Sequence, residues 1–348
     1  MALVTNAQNT YQAIGIREDL EDVVYRIDPD KTPFLSNLTT DVVGTATKHE
    51  WLTQGLTAPA QNSQIEGNTI TPRALKQRSR IANYMNISSK AYAVSGTERA
   101  VNIAGVQDEY DEQRLLAALE LKRDMEIMLL MNNGYQTGGT TTARSCAGLP
   151  AYITNWDAGV SQYSAASGDG ISPWNFAAVT TASARAISLS ILNTATYNSV
   201  IKGAQPNMML VSAYQKKAFS QLALTGSSGA VQLRYNMPDE MAGRLISAVE
   251  MWQSDYGGIQ VVPDIQMDLD PGNSSPNPVN NTAAGNRTNQ YCAFILDTRY
   301  LACVYLTGRQ FVSRDLGVTG DADQGYVLSE YSLRVGAPLA QAWVPLLT

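Results

Sequence analysis

The residues whose types and spacing invite a chemical reading are three acids around a Gly-Gly turn, Asp255, Asp264 and Asp268 in "SDYGGIQVVPDIQMD" (254–268), and a single histidine, His49. Carboxylates this close in sequence could hold a metal or move a proton. A calcium loop, however, spaces its oxygen ligands regularly over twelve residues and closes with a Glu, and this stretch does neither. Spacing alone leaves paired-acid glycoside chemistry open, but nothing singles these acids out for it. Asp is favoured at turns because its side chain accepts from nearby backbone N–H groups, so the three acids read as turn caps. In the second acidic turn, "TGDADQGY" (319–326), the next Glu, Glu330, falls too late for a calcium loop, and a hairpin turn is expected. His49 has no second His to complete a zinc set and no marked nucleophile to serve, so a packed or rim histidine is expected. Cys146, Cys292 and Cys303 lack metal-ligand spacing and read as reduced thiols. The Gly/Thr-rich "NNGYQTGGTTTARSCAGLP" (132–150) lacks the Lys-Ser/Thr ending of a phosphate loop. No catalytic, cofactor-binding or metal residue is assigned, and the chain is not expected to be an enzyme.

What elements hold these residues? Residues 1–44 read as an arm, with the acidic run "REDLEDVVYRIDPD" placing Leu20, Val23, Val24 and Ile27 at helical spacing before Pro29 and Pro33. In 45–96, "ATKHEWLTQ" alternates, with His49 and Trp51 on one face. "RSRIANYMNISSKAYAVS" reads as a second long strand with Ile81, Met85 and Ile87 on one side and Asn86, Ser88 and Lys90 on the other. Two strands joined by about twenty Gly/Pro/Asn/Thr-rich residues make a ribbon, and an isolated two-stranded hairpin is at best marginally stable in water. Its apolar residues need a partner surface, on this chain or on a neighbouring copy, and the neighbour is the sharper reading. The contact candidates are Trp51, Leu52, Leu56, Ile65, Tyr84 and Met85, with the basic Arg73, Arg78 and Arg80. Gly44, Gly55, Gly67, Gly96 and Gly105 are hinge candidates. A helix follows over 106–132, with Leu115, Leu119, Met125 and Met128 on its apolar face, Asp111–Arg114 and Glu120–Arg123 as pairs, and Asn133-Gly134 as its stop. Ser172-Pro173 reads as a helix start, Ser212 as a cap between a strand and a helix, and "GGIQVVPDI" and "YCAFILDTRYLACVYL" as buried strands. Residues 269–290 read as an exposed loop and "QGYVLSEYSLRVGAPLAQAWV" as a long final strand. The mixture has no βαβαβ rhythm, which gives α+β.

Composition narrows the classes. Of 348 residues, 44% are hydrophobic and only 16% charged, well under the roughly 25% usual for soluble domains. So little charge suits a subunit whose surface largely faces other subunits. A net charge of −6 argues against a nucleic-acid reader. No signal peptide or membrane-length apolar run is expected.

The order of parts resembles the tailed-bacteriophage major capsid proteins with the Hong Kong 97-type capsid fold. The resemblance is carried by "TPFLSNL", "EGN", "AYAVSGTERAV", "ELKRDMEIMLL", "MMLVSAYQKKAFSQL" and "SDYGGIQVVPD", in that order. It implies an N-terminal arm (1–44), an extended loop or E-loop (45–96), a P-domain with a spine helix (97–148, helix 106–132), an A-domain (149–297) and P-domain return strands (298–348). It further implies a homo-oligomer of pentamers and hexamers that forms the icosahedral head. The head would enclose double-stranded DNA without reading its sequence, with portal, scaffolding and decoration proteins as partners, no membrane and no cofactor, in a virion assembled in the host bacterial cytoplasm. An encapsulin-like compartment is the competing reading. Some relatives join a loop Lys to an Asn near the C-terminal hairpin; this loop offers Lys48, Lys76 and Lys90, but "GVTGDADQGY" holds no Asn, so no such cross-link is expected. The long helical N-terminal extension that some relatives use as a built-in scaffold is also missing from the sequence, which points to a separate scaffold or to processing.

Overall fold

The structure, a computed structural model, describes residues 28–69, 72, 74–101, 103–131, 134–153, 155–156, 186–225, 249–269, 292–317, 320–344 and 347. Helix α1 is Pro33–Asn37. Strands β1 (Val43–Gly44), β2 (Lys48–Thr53), β3 (Ser79–Tyr84) and β4 (Asn86–Ser95) lead through α2 (Gly96–Ala100) to the long α3 (Glu109–Leu130). Then come β5 (Asn155–Trp156), α4 (Leu189–Val200), β6 (Met208–Ser212), α5 (Ala213–Thr225), β7 (Met251–Ser254) and β8 (Gly257–Asp264). The last strands are β9 (Ala293–Leu296), β10 (Leu301–Leu306), β11 (Val312–Leu316), β12 (Ala322–Val335) and β13 (Ala342–Val344). The helix expected to open at Ser172, the stop at Asn133, Arg73 and nearly all of the 269–290 loop lie outside the described residues. Ser212 does accept from Gln215 N–H at 3.1 Å at the start of α5, and Ser188 caps α4.

The strand expected across residues 79–95 is two strands in two sheets. β3 pairs only with β2, in a separate ribbon, whereas β4 pairs with β12. Ile81, Asn83 and Met85 face inward before the break. After it the phase changes, so that Asn86 and Val94 are buried and Ile87 is exposed. One unpaired residue inverts the alternation of everything that follows, as a bulge does. The predicted face of Ile81, Met85 and Ile87 therefore fails at Ile87. Lys90 instead points toward α3, reaching Asp124 at 2.9 Å and Glu120 at 3.8 Å.

β12, 14 residues long, organises a five-stranded sheet. β4 lies along one of its edges; on the other, β10 covers its C-terminal half and β11 its N-terminal half, with β1 parallel to β10. The second sheet is six-stranded, in the order β5-β13-β9-β6-β8-β7. Its parity divides the core. Met208, Leu210, Phe294 and Leu296 join the spine helix and the five-stranded sheet in one cluster, while Met209, Val211, Ala293 and Ile295 pack against Leu192 and Phe219 of α4 and α5. β13 belongs to this second sheet. The expected block of return strands at 298–348 thus does not follow sheet membership at its end, because the apolar Ala342, Trp343 and Val344 find an antiparallel partner in β9.

β9 and β10 are nearly continuous in sequence yet lie in different sheets. The corner between them is tied by Asp297, whose carboxylate accepts from Gln205 N–H (2.9 Å) and from the Arg299 guanidinium (2.9 and 2.6 Å), while the Gln341 amide bonds its backbone N–H and C=O (2.9 and 3.1 Å). Burial pushes this carboxyl up, but Arg299 and the N–H donors outweigh it and hold the group below the usual range.

α3 begins where Asp108 accepts from Tyr110 N–H at 2.9 Å, and its 22 residues span about 33 Å at 1.5 Å per residue. It buries Ala117, Leu121, Met125 and Leu129, a strict i+4 row, together with Glu126 and Leu130. The predicted face shares only Met125 with this row: Leu119 and Met128 are half-buried and Leu115 is 47% exposed. The helix lies against β4 and β12 together, and the i+4 row is the one that faces both. Asp111–Arg114 pair as expected (3.1 Å), but Arg123 turns to Gln266 and Glu120 to Lys90.

The corrected face can be checked by truncation. Leu121→Ala should cost about 3 kcal/mol through lost burial and a cavity, whereas Leu115→Ala should stay within about 0.5–1 kcal/mol, as read by denaturant unfolding of unassembled subunits.

Candidate functional site

The ribbon is the feature that the rest of the chain does not enclose. Its root is fixed by polar contacts aimed at the backbone. Asn83, fully buried, donates to the carbonyls of Ala147 (3.2 Å) and Leu333 (2.8 Å), and its side-chain oxygen accepts from the N–H groups of Ala147 and Tyr84 (both 2.9 Å). Tyr152 donates its hydroxyl to Ala82 O at 3.0 Å, and the Trp51 indole donates to Val335 O at 2.9 Å. Arg144 donates to Met85 O at 2.6 Å and also pairs with Glu330, which Arg309 meets from another side at 2.6 Å. Glu330 is nearly buried, and a buried carboxylate is tolerated because its two guanidinium partners replace water.

Rings complete the root. Trp51 lies 5.9 Å from both His49 and Tyr152, and Tyr84 lies 5.0 Å from Tyr135. His49 is half-buried, and burial followed by the nearby Arg334 charge pushes its pKa down, so it is neutral at pH 7. Met85, expected at an inter-subunit contact, is completely buried in its own chain, with its terminal methyl filling the space beside Gly44. A Cβ on Gly44 would stand 2.2 Å from that methyl, so close packing accounts for this glycine. Gly96 is comparably close to Asp321, Gly55 packs near the Lys76 ammonium, and Gly67 and Gly105 each have a left-handed φ, +79°.

From Leu52 outward, the other described residues of the chain give the ribbon little cover. Leu52 is 59% exposed, Leu56 94%, Ile65 84% and Leu75 81%. The two legs diverge around an open cleft of about 570 Å³ lined by residues 54–57 and 75–78. Arg78 reaches only Gln54 (3.2 Å), and Arg80 approaches Glu50 (3.5 Å), both within the ribbon. The contact candidates therefore divide in two: Trp51, Tyr84 and Met85 belong to the root, while Leu52, Leu56, Ile65, Arg78 and Arg80 remain outward.

The three acids of the central sheet do not form a catalytic group. Asp255 is exposed on the β7–β8 turn, and Asp268 accepts from Ala213 N–H at 2.7 Å at the start of α5. Asp264 is fully buried, accepts from Gln266 N–H at 2.9 Å, and faces Glu126 of α3. Glu126 was not singled out from sequence; its place four residues before Leu130 and one after Met125 would have marked it had the buried face been assigned correctly. Among the described residues no group of three or more His, Cys, Asp or Glu could hold a metal ion. The thiols of Cys146 and Cys303 are pushed up to about 12 by burial, which makes them poor nucleophiles.

With this geometry in hand, comparison with known proteins decides the family. The profile of the SU10 major capsid protein matches residues 3–348. The chain belongs to the SU10 major capsid protein family. Solved structures agree in fold. "Cyanophage A-1(L) capsid asymmetric unit" matches at TM-score 0.61 and 14% identity over 99% of this chain and 100% of that one. "Gordonia phage Cozz" matches at 0.58 and 11% over 99% and 97%. "Capsid structure of the Cyanophage P-SCSP1u" matches at 0.55 and 13% over 99% and 96%. No curated protein matches the sequence. The α+β capsid fold expected from the resemblance is the fold found, and the family is one of phage coats, which does not favour the encapsulin-like reading. No helix among the described residues is long and apolar enough to cross a membrane.

The root makes its own prediction. Asn83→Ala leaves several buried backbone groups without partners and should destabilise the subunit by on the order of 3 kcal/mol. Gln54→Ala, out on the exposed legs, should change stability by less than about 0.5 kcal/mol, with both read from unfolding midpoints.

Proposed function

We propose that this major capsid protein assembles with copies of itself into pentamers and hexamers of a closed icosahedral head around double-stranded DNA, and that residues 52–80 of the ribbon lie over an adjacent copy. The observation that carries the reading is the row of Leu52, Leu56, Ile65 and Leu75, large apolar side chains on a segment with no core of its own. Burying each is worth about 1.5–3 kcal/mol. Repeated around a closed surface, such modest contacts hold a particle together without any one strong pair. Arg78, with Arg73 from outside the described residues, gives this segment a positive character in an acidic chain. The acids at Glu18, Asp19, Glu21 and Asp22 of a neighbour's arm, also outside the described residues, have the complementary charge.

The remaining expectations stand as proposals of the same reading. The subunit acts as a wall, not as an enzyme, and it encloses DNA without gripping it, since phosphate contacts require Lys or Arg. The blocks 1–44, 45–96, 97–148, 149–297 and 298–348 are its functional divisions, with the strand exchanges described above. Gly55 and Gly105 allow the ribbon and the entry to the spine helix to adjust between five-fold and six-fold environments. Portal, scaffolding and decoration proteins are the partners such a shell takes, in a virion formed in the host cytoplasm.

Electron microscopy of the purified protein should show closed shells. Leu56→Asp with Leu75→Asp, or Arg78→Glu with Arg80→Glu, should reduce shell yield at least tenfold while leaving the far-ultraviolet circular dichroism of the subunit unchanged; undiminished shells from both pairs would refute the ribbon contact. Boiled particles should run as one band of subunit mass on a denaturing gel, because Lys48, Lys76 and Lys90 meet no hairpin Asn; a ladder would refute that.

A further inference from the structure

Three parts of the subunit meet at two buried carboxyl groups. Glu126 sits on the inward row of α3, and Asp264 ends β8 of the central sheet; both are fully buried. Both Glu126 oxygens are used by the base of the N-terminal arm: Oε1 accepts from Phe34 N–H at 2.6 Å and Oε2 from Leu35 N–H at 2.7 Å. These are N–H groups of the first turn of α1, which no intrahelical carbonyl can satisfy. Asp264 Oδ1 accepts from Gln266 N–H, but Oδ2 is buried without any N–H donor. Glu126 is the acid that faces Asp264, and a bond between the two carboxyls would give Oδ2 the partner it lacks. Two ionised carboxylates are both acceptors and repel each other, so that bond exists only when the pair retains a hydrogen.

We propose that Glu126 and Asp264 share a single proton and form a pH-sensitive latch, which fastens the base of the N-terminal arm to the spine helix and the central sheet while the proton is held and loosens when it is lost. Among the described residues, the groups around the pair supply no cation that would neutralise a second negative charge there. α1 presents no titratable side chain. From the central sheet and its following turn come Asp264 itself and Asp268, whose charge opposes ionisation of Asp264. From β10 comes the Cys303 thiol, which stays protonated. On α3, Arg123 is turned away to Gln266 Oε1 at 3.4 Å, and Gln266 in turn donates to the carbonyls of Pro29 (3.1 Å) and Lys31 (3.4 Å) in the arm. Burial first, and then the paired acid, pushes Glu126 well above the ordinary carboxylate range; burial also pushes Asp264 up, and the one proton belongs to the pair.

The direction of the pH effect follows. The folded pair binds a proton that the unfolded chain has released by neutral pH, so the folded state binds more protons and stability falls as pH rises. The latch's contribution is complete below the ordinary carboxylate pKa and is lost as pH climbs through the raised value of the pair. On loss of the proton to hydroxide, two carboxylates are left facing each other behind the first turn of α1. The arm is the element that can yield, since α1 is only five residues long and Phe34 is its one fully buried side chain, whereas α3 and β8 each bury several residues in the two core clusters.

Hydrogen–deuterium exchange of the full-length chain tests the latch. Protection at Phe34 and Leu35, corrected for intrinsic exchange, should fall by up to tenfold per pH unit once the pair titrates, at least tenfold in all between pH 6 and pH 9. Asp264→Asn supplies an amide N–H in place of the shared proton and keeps the oxygen that caps Gln266, so its protection should not change with pH. Constant protection in the natural chain, or an equal loss in Asp264→Asn, overturns the proposal. If Asp264→Asn fails to fold, Glu126→Gln replaces it: its amide donates to Asp264 without a titrating proton but gives up one of the two arm acceptors, so protection should start lower than in the natural chain and yet not change with pH. Independently of the arm's behaviour, the infrared spectrum at pH 7 should contain a protonated-carboxyl band that disappears in whichever variant folds. Its absence from the natural chain overturns the latch.

Discussion

The stretch from Ser79 to Ser95 has to serve two sheets that do not share an orientation, and Met85 is where it passes from one to the other. Up to Tyr84 the chain is half of a ribbon; from Asn86 it is the edge partner of β12. The change of phase turns Lys90 toward the spine helix and Ile87 out of the core, and it seats Met85 against Gly44. Everything the ribbon does depends on this junction being stiff. Tyr152 and Arg144 bond the main-chain carbonyls of Ala82 and Met85, while Asn83 and Trp51 of the ribbon bond those of Ala147, Leu333 and Val335 in the body, so together they fix the direction in which the ribbon leaves the body. What lies beyond can then remain thin, apolar and exposed, awaiting a surface of matching character.

Much of this was legible from residue order. Alternation in "KHEWLT", the cap at Ser212, the fully apolar "MMLV" and "AFIL", and the long run ending in Tyr331, Leu333 and Val335 correspond to β2, α5, β6, β9 and β12. The errors have a common physical origin. Periodicity tells which residues share a face but not which face meets the core, so α3 was turned toward Leu115 and Leu119 when the sheet it packs on selects Leu121 and Leu129. Alternation is equally regular on both sides of Met85, so nothing local marks the change of phase there. The destination of β13 depends on the unpaired edge of β9, which is a fact about the assembled sheet.

Polar residues in the interior were the least legible part. Glu126, Glu330 and Asp297 look in sequence like surface acids, and Asn83 like a turn residue. Each is buried, and each holds together segments far apart in the chain: α1 with α3, residues 144 and 309 with β12, β6's approach with the β9–β10 corner, and the ribbon with the five-stranded sheet. The partners of Asn83 are backbone groups, as are the N–H donors to Glu126, and every residue type carries these; Glu330 and Asp297 have arginine partners, but those of Glu330 lie 186 and 21 residues away, with nothing in the sequence to mark them. That the ribbon's apolar residues need a partner surface is legible, by contrast, because it follows from thinness alone.

The corner at Asp297 has a mechanical meaning. Asp297 and the 3₁₀ turn Thr298–Tyr300 are all that separate a strand of the six-stranded sheet from one of the five-stranded sheet, and Gln341 clamps the same point from the far end of the chain. Such a joint has almost no slack. A force applied to the six-stranded sheet would pass through β9 and β10 into the five-stranded sheet with little loss, while the ribbon, tied down at its root alone among the described residues, would take up the bending.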